Sequence, residues 1–141
     1  MDCEICFEPF SDNLGNHVPI IFPDCGHSFC KSCVDSLENR KCPKCRKTRF
    51  QPHEINVEVV EFIQTNARPV CGGCASEYNI EGNHNPRILP DCCHTICSTC
   101  IDDIADVEIG CPTCFNPNFI SLFDSECFIK NYLLIEIVRN Y

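Results

Sequence analysis

Fourteen of the sixteen cysteines and two of the five histidines recur at spacings that suit metal coordination. One set runs Cys3-x2-Cys6, Cys25-x-His27-x2-Cys30-x2-Cys33 and Cys42-x2-Cys45. A second runs Cys71-x2-Cys74, Cys92-x-His94-x2-Cys97-x2-Cys100 and Cys111-x2-Cys114. Thiolates with an occasional imidazole favour zinc, and eight donors per set supply two tetrahedral shells. A shell filled entirely by protein leaves no position for water, so the four Zn2+ ions implied by this sequence are structural rather than catalytic. Close CxxC pairs hold metal in a reducing compartment. The chain opens with acidic and polar residues and shows no apolar run suited to a signal peptide or a membrane span. An intracellular protein is expected, with cytoplasm and nucleus both open and no membrane partner.

The two sets are copies of one plan. PDCGHSFCKSC (residues 23–33) aligns with PDCCHTICSTC (residues 90–100), and CPKCR (42–46) with CPTCF (111–115). The order of donors, seven cysteines with a histidine in fourth place, resembles the RING finger of ubiquitin ligases, and the CGHSFC core is a specific form of it. The resemblance covers residues 3–46 strongly and 71–114 clearly. It implies a small zinc-stabilised α+β fold made of two tandem cross-braced fingers. Cys3, Cys6, Cys30 and Cys33 would then share one ion, and Cys25, His27, Cys42 and Cys45 another. In the second finger, Cys71, Cys74, Cys97 and Cys100 pair off against Cys92, His94, Cys111 and Cys114.

The same resemblance implies a partner surface. The family's fingers hold a ubiquitin-conjugating enzyme in a shallow apolar groove, at positions that fall here on Ile5, Leu37 and Pro43. Side chains held by rigid metal loops lose little entropy on binding. Arg46, directly after the last ligand, occupies the place of a basic linchpin that bridges conjugating enzyme and ubiquitin. Its rigid fork of donors suits that task, and the resulting rate enhancement is one of positioning, with no acid, base or nucleophile from this chain. The second copy departs from the pattern: Gly73 stands for Ile5 and Phe115 for Arg46, while Ile104 and Pro112 remain apolar. It reads as a degenerate finger. Cys93 fills the glycine slot beside His94 and is not expected to act as a nucleophile, and Cys127 is expected in apolar packing. The implied function is that of a scaffold-type E3 ubiquitin ligase acting on a protein substrate that the sequence does not name. The alternative is a zinc-dependent adaptor without enzymatic activity.

The elements that must carry these groups are short. Strands are expected in HVPIIF (17–22) and in PRILP (86–90), and helices in VDSLENRK (34–41) and IDDIADVEIG (101–110), the latter stopped by Gly110. HEINVEVVEFI (53–63) puts Ile55, Val59 and Phe62 or Ile63 on one helical face, although Ile55, Val57 and Val59 also alternate as a strand would. FIKNYLLIEIV (128–138) repeats the helical pattern. Each segment is expected to pack on its own finger, with an exposed Leu133, Leu134 and Ile137 stripe as a candidate homo-oligomer interface. The resulting organisation is a first finger (1–50), a helix and linker (51–68), a second finger (69–118) and a C-terminal helical segment (119–141). His17, His53 and His84 lack ligand spacing and are assigned to solvated loops.

The net charge is −9, and it is uneven: residues 1–50 carry seven acidic and seven basic side chains, residues 51–141 thirteen and four. Phosphate-backbone binding needs neutralising basic groups, which argues against a nucleic-acid partner. The one basic cluster, RKCPKCRKTR (40–49), reads as a solvated rim.

Overall fold

The computed structural model describes residues 1–39, 41–48, 54–105, 110–116 and 128–141. His53 and Cys127 lie outside them. The first half carries β1 (Pro19–Ile21), β2 (Ser28–Cys30), α1 (Lys31–Asp35), β3 (Glu54–Ile55) and α2 (Val57–Thr65). The second carries β4 (Pro86–Ile88), β5 (Thr95–Cys97), α3 (Ser98–Ala105) and α4 (Tyr132–Arg139). Each half contains the same antiparallel hairpin, paired Pro19 to Cys30 in the first and Pro86 to Cys97 in the second. A proline opens each strand, where its missing N–H does no harm. A further segment joins each hairpin: β3 pairs Ile55 with Ile20, and Lys130 bridges Arg87 in the matching place.

Helix α1 departs from the expected span. It begins directly after Cys30, with the N–H groups of Lys31 and Ser32 donating to the carbonyls of Val18 and Asn16, and it ends at Asp35. Ser36 turns its hydroxyl back on the Ser32 carbonyl, a competing bond that does not favour continuation. Val34 is buried as expected, whereas Leu37 falls beyond the helix and is half-buried. In 53–63 both readings of the pattern are partly realised, Ile55 in a strand and Val57 onward in a helix.

The two C-terminal helices do not each pack on their own finger. Val59 of α2 is buried in the second cluster, with Tyr78, Leu89, Ile96, Ile101 and Leu134, while Ile55 and Val60 lean on the first, formed by Phe10, Val18, Ile20, Phe22, Phe29 and Val34. Ile63 and Leu133 touch both. Leu134 and Ile137 are therefore core residues and Leu133 is half-buried, so the stripe read as an oligomer surface is occupied within the chain. No helix among the described residues is long and apolar enough to cross a membrane.

At the seam lies a pseudo-twofold pair. Asn56 and Asn131 are both fully buried, and each amide donates to the other's Oδ1, at 3.1 and 3.0 Å. Each also donates to a hydroxyl at the start of a matching strand, Asn56 to Ser28 and Asn131 to Thr95, at 3.1 and 2.9 Å. Their backbone N–H groups reach Pro19 and Pro86, and Asn131 caps α4 by accepting from Leu134 N. Replacing Asn131 by alanine strands Asn56 in the interior and removes the cap. The zinc-loaded protein is expected to lose about 2–3 kcal/mol in denaturant titration.

Candidate metal centres and partner groove

Each strand-to-helix junction delivers two sulfurs. Cys30 ends β2 and Cys33 lies on α1, as Cys97 ends β5 and Cys100 lies on α3. Eight of the remaining ligands come from CxxC loops of one recurring shape. Phe7, Arg46, Ala75 and Phe115 each follow the second cysteine of a CxxC pair, each with φ of 57–60°. Each donates its N–H to the carbonyl of the pair's first cysteine, at 2.7–2.8 Å. This left-handed turn closes the loop and leaves both sulfurs on its inner side. Bridges between Asp2 and Pro9, Lys41 and Thr48, and Val70 and Glu77 seal three of the loops at their bases.

The donors gather in four clusters, in each of which the ligand atoms lie within 4.8 Å of one another. They are Cys3, Cys6, Cys30 and Cys33; Cys25, His27, Cys42 and Cys45; Cys71, Cys74, Cys97 and Cys100; and Cys92, His94, Cys111 and Cys114. First and third pairs share one cluster, second and fourth the other, which is a cross-brace. The chemistry suits zinc. Burial pushes the Cys25 and Cys92 thiols up to about 12, so a divalent cation is what makes their thiolates accessible near neutrality. Burial holds His27 and His94 below the ordinary imidazole value, in the neutral form that ligates metal, and His94 Nδ1 is buried without a hydrogen-bond partner. Backbone N–H groups of Cys30 and Cys97 donate to the sulfurs of Cys3 and Cys71, at 3.4 and 3.2 Å, and steady those ligands.

Residues 2–47 match the zinc-RING finger domain. The N-terminal unit is a RING finger. The chain is also similar to curated ligases. It is 32% identical over 74 residues to the E3 ubiquitin-protein ligase trim-21 of Caenorhabditis elegans, covering 50% of this chain and 25% of that protein. It is 43% identical over 49 residues to the human E3 ubiquitin-protein ligase RNF4, covering 33% and 26%. Over 44 residues it is 43% identical to the probable E3 ubiquitin-protein ligase WAVH2 of Arabidopsis thaliana, covering 30% and 6%. The match thus spans about a quarter or less of the length of these relatives.

In the RING finger, Ile5 is 39% exposed, Pro43 and Arg46 are exposed, and Leu37 packs partly against the first core cluster. The loops carrying Ile5 and Pro43 are tied by an ion pair between Lys44 and Glu4 of 2.6 Å, solvent-exposed and therefore worth little energy. In the second unit a side chain at Gly73 has no room, since a Cβ there would stand 2.8 Å from Cys100 Sγ. Phe115 projects into solvent, 82% exposed. Cys93 takes the left-handed turn that Gly26 takes in the RING finger, and is buried with Ile21, Ile88 and Ile129. Its thiol is pushed up to about 12 by burial, which leaves it a poor nucleophile.

Two histidines assigned to solvated loops are not there. His84 is half-buried with Nδ1 3.3 Å from Cys97 Sγ, and His17 has a buried Nδ1 without a partner. The signal was in the sequence: Asn16-His17-x-Pro19 recurs as Asn83-His84-x-Pro86, extending the repeat upstream of the first middle ligand.

Proposed function

We propose that this chain is a scaffold-type E3 ubiquitin ligase in which the RING finger holds a ubiquitin-charged conjugating enzyme and the second finger supports it. The carrying observation is the exposure of Ile5, Pro43 and Arg46 on two metal loops of one RING domain. Ile5 and Pro43 offer a preorganised apolar anchor, and Arg46 a fixed cation beside it. The names of the similar proteins agree with this reading. The acidic second half fits a role in protein contacts inside the cell, in cytoplasm or nucleus, better than one on nucleic acid.

The test is discharge of ubiquitin from a panel of charged conjugating enzymes onto free lysine, with zinc-loaded protein. Wild type accelerates discharge, and Ile5→Ala weakens conjugating-enzyme binding about tenfold, as loss of a central apolar anchor does. Unchanged zinc content and spectrum in the variant assign the loss to the groove. A wild type that neither binds nor discharges any member of the panel replaces this reading with the adaptor.

A further inference from the structure

The last helix of the second unit reaches across the seam onto a metal ligand of the RING finger. The Tyr132 ring stacks on the His27 imidazole with centroids 5.1 Å apart and planes 19° from parallel. Its backbone N–H donates to the Gly26 carbonyl at 3.2 Å, and Gly26 lies so close under the incoming chain that a Cβ would stand 1.9 Å from the Lys130 carbonyl. Tyr132 itself is 48% exposed, so it contributes little to the core. The paired asparagines show that the arrangement is one-sided. Tyr132 follows Asn131 as Val57 follows Asn56, and Val57 has no ring to offer the second unit. Among the described residues, the stack is therefore built only over the finger that carries Arg46.

From this geometry we infer that Tyr132 is a positioning residue for ubiquitin transfer, acting through His27 on the loop that presents Pro43 and Arg46. This rests on the ligase reading above. Three links carry the effect: the Tyr132 ring holds the imidazole plane; His27 shares its metal cluster with Cys42 and Cys45, its Nδ1 3.6 Å from Cys42 Sγ; and Arg46 N–H is bonded to the Cys42 carbonyl at 2.8 Å. A second finger that has lost its own Arg and Ile thus serves the first as a brace.

The experiment uses the whole chain as Tyr132→Ala and Tyr132→Phe. In the cadmium-113-substituted protein, Tyr132→Ala shifts or broadens the resonance of the Cys25, His27, Cys42 and Cys45 site and leaves that of the Cys92, His94, Cys111 and Cys114 site in place, an internal check that the variant is folded. Discharge at saturating conjugating enzyme falls about fivefold, the scale set by one aromatic pair. Tyr132→Phe, which keeps the ring, restores both readouts. An unmoved resonance in Tyr132→Ala, or a Tyr132→Phe variant as impaired as the alanine, overturns the inference. If wild type discharges no ubiquitin the ligase reading fails, and the cadmium resonance still decides whether the stack sets the site.

Discussion

Arg46→Phe is expected to slow ubiquitin discharge about tenfold to a hundredfold while leaving zinc content and conjugating-enzyme affinity close to wild type. That range corresponds to hydrogen bonds with a charged group worth about 1.5–3 kcal/mol. The choice of phenylalanine matters. Phe7 and Phe115 already occupy the same left-handed position in their own CxxC loops, with φ of 60° and 58°, so the backbone accepts the replacement without new strain. Only the guanidinium is lost. The converse variant, Phe115→Arg, is expected to add no activity, because Gly73 leaves the second groove without its anchor and has no space for one. Single-turnover discharge over a range of conjugating-enzyme concentrations separates rate from affinity. An unchanged rate at saturation would remove Arg46 from the transfer step.

Removing the metal is expected to unfold both units. A structural zinc contributes about 10–16 kcal/mol of apparent binding free energy, as much as or more than the roughly 5–15 kcal/mol net stability of an ordinary domain. Strands of two or three residues and a five-residue helix supply little stability of their own. Cys3, Cys30, Cys42, Cys71, Cys97 and Cys111 are themselves buried in the two core clusters, so an empty site also opens the core. A chelator at neutral pH should collapse the dispersion of the amide spectrum and much of the far-ultraviolet ellipticity, and returning zinc should restore both. Acid acts in the same direction, since protons compete for the thiolates. A chelated protein that kept a dispersed spectrum would show that packing alone holds the fold.

The metal sites were legible because coordination chemistry writes itself into spacing, and the cross-brace came with the family resemblance. The hairpins and the existence of the helices were legible from apolar runs. What period cannot say is against what a face packs. Val59 and Leu134 stand out as apolar on the right segments, yet they meet at a seam that depends on bringing residues far apart in the chain together. Asn56 and Asn131 gave no signal, because a polar residue inside an apolar segment reads as an interruption until its partner is in view. His84 is illegible for another reason: it has no ligand spacing of its own, because it addresses a ligand's sulfur.

Because α2 divides its apolar side chains between two cores, the order in which the chain is made has a consequence. The RING finger is complete in ligands once residue 45 has been synthesised, but Val59 lacks its core until Tyr78, Leu89, Ile96 and Ile101 follow, and Asn56 lacks its amide partner until Asn131 does. A nascent chain should therefore pass through a stage with a zinc-filled first finger and a bare, sticky helix, open to chaperones or to another copy. Arrival of the last helix ends that stage and welds the halves into one cooperative unit.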